Sequence, residues 1–142
     1  MSGTLDEVSP AELTADVLKR LSLTGLDWDV VVGPANNEQQ QAGVVSIMAA
    51  GLPVMERYTP TQWMRAQCRC LHGSLAEAEK IGQAVYRDLN ARGRVVGRMA
   101  STDQRYLIHL INVQAGPSMH FDSIETWEVL VFAELYIGTD PL

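Results

Sequence analysis

Cysteine is scarce in this sequence: two among 142 residues, Cys68 and Cys70, separated by one position. That number cannot build a disulfide scaffold, and no second pair exists to complete a four-thiolate zinc site. Aromatic residues make up only 6% of the chain, and Lys plus Arg (11) are outnumbered by Asp plus Glu (17), for a net charge of −6. A nucleic-acid reader pairs stacking aromatics with a positive domain, and an anionic membrane surface also rewards clustered cations, so both classes are disfavoured. No run approaches the roughly 20 apolar residues of a membrane helix. The opening "MSGTLDEVSP" has neither the basic start nor the apolar stretch of a secretory signal. Without one, free thiols fit a reducing compartment, and folding in cytoplasm is the expectation. Repeats, low-complexity tracts, a Gly-x-Ser-x-Gly elbow, a Walker loop and a His-Glu-x-x-His helix are all missing.

What is present is 46% hydrophobic residues, enough for one core without staples. The expectation is a single domain over 1–142, with mobile loops near 33–43 and 51–62. Ser9-Pro10-Ala11-Glu12 reads as a capping box with proline at the first helical position, followed by an apolar stripe of Leu13, Val17, Leu18 and Leu21 and a stop at Gly25. "DWDVVV" is a short extended piece, "GPANNEQQQAG" a polar loop, and "VVSIMAA" a buried strand. "GLPVMERYTPTQ", with two prolines, reads as an extended arm.

From Trp63 to Leu71 the chain alternates. Trp63, Arg65, Gln67 and Arg69 take one face of a strand, and Met64, Ala66, Cys68 and Cys70 the other. A second capping box is expected at Ser74 and Glu77. The helix after it carries Leu75, Ala78, Ile81, Gly82, Val85 and Leu89 on one side and ends at Gly93. "RVVGRMASTDQ" reads as a short extended segment and a turn. "RYLIHLINV" is a strand broken by Gly116-Pro117. In "TWEVLVFAELYI", Trp127, Val129, Val131, Ala133, Leu135 and Ile137 face one way, with Glu128 and Glu134 on the other. The short link between these last strands requires them to be antiparallel. The predicted fold class is α+β: a mostly antiparallel sheet of about four strands, helices on one face, in the order α-β-β-α-β-β.

Candidate chemistry is thin. Cys68, Cys70 and His72 sit at every second residue, but such side chains on a strand are separated by roughly 6.5–7 Å of rise, too far for two sulfurs on one zinc. Two core-facing thiols and a histidine at the turn are the simpler reading. His109 within "LIHLI", His120, Asp122 and Glu125 would matter only if they converged in one cleft, as a small enzyme or ligand-binding protein would require. Arg92, Arg94, Arg98 and Arg105 form a loosely basic segment, read as a solvated loop. "MERYTPTQWM" is either an exposed interaction patch or core packing.

One family shares this pattern. "VVSIMAAGLPVMERYTPTQWMRAQCRCLHGSLAEAEKIGQAVYRDL" resembles the central segment of the tail terminator proteins of long-tailed bacteriophages, also labelled minor capsid proteins. The matching features are the short strand Val44 to Gly51 and the Gln67–Arg69 strand motif. They continue with the His72-Gly73 turn and a helix through Ala76-Glu77-Ala78, Gly82, Val85, Tyr86 and Leu89. "INVQAGPSMHFDSIETWEVLVFAELYIG" is similar to the family's Gly-Pro turn, Asp and final strand, so the resemblance spans Val44 to Gly138. Cys68, Cys70 and the "NNEQQQ" stretch depart from it. The resemblance implies a structural virion protein, not an enzyme, and no cofactor. Its copies would form a ring, commonly a homohexamer, that caps the tail tube and joins the head. The implied partners are further copies, the tail tube protein and head–tail connector proteins, with DNA passing an acidic lumen without specific binding and no membrane contact. The implied location is the head-proximal end of the virion tail, after assembly in host cytoplasm. A subunit-interface arm is expected to include Leu52, Met55, Arg57 and Tyr58. Another head–tail connector or neck protein is the nearest alternative.

Overall fold

The structure is a computed structural model that describes residues 8–21, 28–50, 61–91, 93–121, 125–138 and 140–142. In chain order these hold α1 (Pro10–Leu21), β1 (Asp29–Val32), α2 (Asn37–Ala42), β2 (Val44–Ala49), β3 (Thr61–His72), α3 (Leu75–Asn90), β4 (Val95–Arg98), β5 (Arg105–Phe121) and β6 (Thr126–Gly138). The α+β class is as predicted, but the sheet has six strands, in the order β1-β2-β3-β6-β5-β4. All neighbours are antiparallel except β1 and β2. The "DVVV" and "VVGR" segments, read from sequence as minor extended pieces, are the two outermost strands.

The β3–β6 register fixes the two faces. It runs without interruption from Thr61 opposite Gly138 to His72 opposite Trp127. Met64, Ala66, Cys68 and Cys70 from β3 therefore stand level with Leu135, Ala133, Val131 and Val129 from β6; all are buried except Val129, which is partly buried against the core. Tyr106, Ile108 and Ile111 extend this inner set across β5. Over it lie α1 and α3, each with an apolar stripe at helical spacing. Leu13, Val17 and Leu18 of α1 are fully buried, each contributing about 1.5–3 kcal/mol relative to exposure.

A single helix, α1, packs against β1, β2, β3 and β4. Since β1 and β4 are the opposite margins of the sheet, the sheet must curl around the helix into a half-barrel. Polar side chains of α1 close the outer edge of β4. Arg98 N–H donates to Asp16 Oδ2 at 2.9 Å, and Arg20 Nη2 donates to Val96 O at 2.8 Å. The Asp16–Arg20 ion pair, at 3.0 Å, ties these two contacts together.

Several expectations need correction. The polar stretch 33–43 contains α2, whose capping box pairs Asn36 with Gln39 in both directions. The two capping boxes expected elsewhere are incomplete. At α1, Glu12 N–H donates to Ser9 Oγ, but the Glu12 carboxylate accepts from the Ser101 N–H and hydroxyl instead. At α3, Ser74 makes no side-chain cap, and Glu77 pairs with Lys80. Strand β3 begins at Thr61, so the arm expected over 51–62 gives its last two residues to the sheet. The rest of that arm, with Leu52, Met55, Arg57 and Tyr58, and the stop at Gly25 lie outside the described residues. The basic segment is no loop. Arg94 precedes β4, Arg98 ends it and Arg105 opens β5; all three are exposed, and Arg92 is outside the described residues.

Gly116-Pro117 does not end β5. The strand shifts register between Ala115 and Ser118 and continues to Phe121. A proline is tolerated at such a bulge because it need not donate to the ladder there. Gly116 is required by close approach: a Cβ there would lie 2.8 Å from Leu130 Cβ and 3.0 Å from Phe132 Cε2.

Helix α3 meets β6 just as tightly. A Cβ on Gly82 would stand 2.7 Å from Val129 Cγ1 and 3.3 Å from its Cβ, and a β-branched side chain has little freedom to turn away. Alanine is the better helix former by about 1 kcal/mol, while overpacking costs about 1–3 kcal/mol. We expect Gly82→Ala to lower the urea midpoint at unchanged m value and Gly82→Val to lower it further; unaltered midpoints for both would show that the helix moves freely off the sheet.

Candidate functional site

The alternation that fills the core also creates the opposite face. At the end of the sheet near α2 this outer set is closed: Val44, Ser46, Leu71 and Glu128 are buried, and Ser46 Oγ donates to Gly33 O at 2.5 Å. Toward the other end it opens. Trp63 of β3 packs on Tyr136 of β6 with ring centroids 4.9 Å apart, and His109 of β5 stands 5.9 Å from the same tyrosine. Thr61 Oγ1 donates to Tyr136 Oη at 2.6 Å, fixing the middle ring of the row. Arg65 pairs with Glu134 directly across the strands at 3.2 Å, largely exposed. These residues make a broad, partly solvated face of mixed aromatic and ionic character. No long helix covers it among the described residues. Of the "MERYTPTQWM" segment, Met64 is core and Trp63 belongs to this face; Met55 to Pro60 are outside the described residues.

Arg69 and Glu128 mark where the outer face turns inward. Arg69 Nε donates to Glu128 Oε2 at 2.6 Å, and Arg69 Nη2 pairs with the same oxygen. Glu128 is only 4% exposed. The sequence placed Arg65 and Arg69 on one strand face and Glu128 and Glu134 on another, but only the β3–β6 register reveals that the two sets meet.

The thiols lie on the inner side. Cys68 and Cys70 are free and fully buried among the core residues. Burial pushes the Cys68 thiol from 9.0 up to about 12. Burial raises Cys70 well above 9.0, reinforced by the neighbouring Cys68 and the Glu128 carboxylate. A thiol held protonated is neither nucleophile nor metal ligand. His72 ends β3, and its Nδ1 accepts from Ser74 N–H at 2.9 Å. Among the described residues, no three His, Cys, Asp or Glu side chains are grouped to hold a metal ion.

The other candidates do not share a site. His109 belongs to the end of β5 that pairs with Ile137 and Tyr136, whereas His120 pairs with Trp127 and Glu125 immediately precedes β6. At about 3.3 Å per residue this separates His109 from the other two by on the order of 30 Å along the strand. Glu125 is exposed in a left-handed turn at φ 48°, and Asp122 is outside the described residues. A cleft gathering all four cannot form.

A separate groove of about 470 Å³ runs between α3 and the β5–β6 hairpin, lined by Gly82, Tyr86, Ala115, Val129 and Val131, with Glu79, Gln83 and Arg87 at its rim. No helix of the described residues is long and apolar enough to cross a membrane. No protein-family model matches this sequence, and no curated protein matches it.

Neither thiol of the folded chain will react with a disulfide reagent near pH 8, while both will react once urea unfolds it. Because the folded thiols stay protonated above the pH at which unfolded thiols ionise, they oppose folding as pH rises from 9.0 toward about 12. A Cys68→Ala/Cys70→Ala chain should lose less stability over that interval. Equal alkaline losses in both chains would disprove this. Separately, Arg69→Met strands the buried Glu128 carboxylate and should cost about 3 kcal/mol. Adding Glu128→Leu should recover most of it, as read by urea unfolding.

Proposed function

We propose that this chain is a structural subunit of a phage tail-terminator ring, whose copies close into a collar on the finished tail tube, stop its growth and present the surface that joins the head. The observation that carries this reading is the broad outer face of β3, β6 and β5, with Trp63, His109, Tyr136 and the Arg65–Glu134 pair. An assembly subunit works through faces and edges; a catalyst gathers its groups in a cleft. The sequence resemblance over Val44 to Gly138 supports the same reading. It covers β2, β3, α3 and the β5–β6 hairpin, which build most of the sheet and the helix packed on it.

In this reading the chain needs no cofactor. Its partners are sister subunits, the tube protein and the connector proteins on the head side. The net charge of −6 per chain suits a ring whose lumen passes DNA without holding it, because like charge keeps the phosphates from sticking. The arm expected at Leu52, Met55, Arg57 and Tyr58 would reach a neighbouring subunit. Another neck or connector protein would use the same kind of surface at a different position on the particle.

Deletion of the gene followed by electron microscopy of lysates tests the assignment. The expected result is headless tails of uncontrolled length, with the protein, when supplied, bound at the head-proximal tip of isolated tails. Tails of normal length joined to heads in the deletion would overturn it. Location of the protein on the head side only would move it to the connector class.

A further inference from the structure

We propose that the open edge of β5, together with the groove beside α3, is a two-fold self-association surface whose partner is a second copy of this chain. The first observation is an unequal treatment of sheet edges. Strand β4 covers β5 only from Arg105 to Ile108, and the outer edge of β4 itself is closed by Asp16 and Arg20. Beyond Ile108, no described strand pairs with β5 on the side away from β6. The segment Leu110–Ala115 carries no charged side chain, and Leu110 is 45% exposed. Sheet edges that must stay single are ordinarily blunted by charge, proline or a bulge. Here one register shift lies before the segment, between Ile108 and Leu110, and the second, with Pro117, follows Ala115, leaving six uninterrupted residues between them available for pairing.

The second observation is what adjoins that edge. Ala115 is both an edge residue and a wall of the apolar groove, whose opposite wall includes Gly82 and Tyr86. Tyr86 is 37% exposed. A strand added to β5 sends every second side chain to the inner side of the sheet, here into the groove.

The rim selects the occupant. Glu79, Gln83 and Arg87 recur every fourth residue and are exposed, so they form one stripe along α3. A two-fold contact requires a surface complementary to itself. Antiparallel apposition of this stripe about Gln83 sets Glu79 of one copy against Arg87 of the other, and the reverse. The uncharged β5 edge adds no like-charge repulsion when it meets its own copy. A peptide of one charge sign would satisfy only one end of the rim. This contact does not depend on the terminator reading.

Sedimentation equilibrium of the full chain tests it. The wild type is expected to show a monomer–dimer equilibrium. Glu79→Arg and Arg87→Glu should each weaken it about tenfold or more, and the double charge reversal should restore it. Asn112→Lys, an exposed change on the edge, should weaken it as well. A measurement without variants is amide exchange at Leu110 to Ala115, which should slow as protein concentration rises. A wild type that stays monomeric, exchange independent of concentration, or association indifferent to both single reversals would overturn the proposal. A larger ring unaffected by these substitutions would also overturn it while leaving the terminator reading intact. A charge-reversible dimer from a gene whose loss leaves tails normal would do the opposite.

Discussion

The uninterrupted register of β3 against β6 decides which side chains this protein hides. Met64, Ala66, Cys68 and Cys70 enter the core only because each stands level with an apolar residue of β6. A slip of β3 by one residue would turn Arg65 and Arg69 under α1 and α3 and put their charges into the apolar interior, at a cost of several kcal/mol per unpaired ion. The same register brings Arg69 within reach of Glu128 and Arg65 opposite Glu134. Core and outer face are thus two products of one alignment, and neither could be changed without the other.

The curl follows from how that sheet is roofed. Because α1 touches both marginal strands, the sheet bends around the helix, and the margins become close enough for α1 to serve them with polar atoms. Glu12 extends this to the β4–β5 turn through Ser101, which is why its carboxylate is diverted from the expected capping role. A long-range contact that satisfies two donors replaces a local one that would satisfy a single N–H.

Those contacts also mark what could be seen in the sequence. The period-two runs at Trp63–Leu71 and Thr126–Ile137, and the 100° stripe of α3, were legible with correct faces, because a one-sided burial pattern repeats over many residues. The strands "DVVV" and "VVGR" carry too few residues for any period to show, and they exist because β2 and β5 offer them edges. The helix in "NNEQQQ" buries nothing, so hydrophobic patterning was silent; the Asn36–Gln39 capping box was the available signal. Gly116-Pro117 read as a break because its tolerance depends on a bulge, which is a property of two strands and not of one. The outer face was half legible: its residues could be assigned to one side of each strand, but their pairing needed the register.

An apolar, uncharged edge is a liability for a free monomer and a resource for an assembling one. This chain closes the β4 edge with an ion pair and leaves the neighbouring edge of β5 without a charge. If that edge were simply tolerated, the groove beside it would be expected to be polar or filled. Instead it is apolar and flanked by Glu79 and Arg87 at opposite ends of a single helical stripe. An edge supplies backbone hydrogen bonds to any extended segment, which gives affinity without selectivity; the charged rim supplies the selectivity. On this division of labour, the β3–β6–β5 outer face and the β5–α3 margin are different surfaces with different partners. Under the proposed tail-terminator reading, such self-association would keep the most adhesive edge occupied until a tube tip is met.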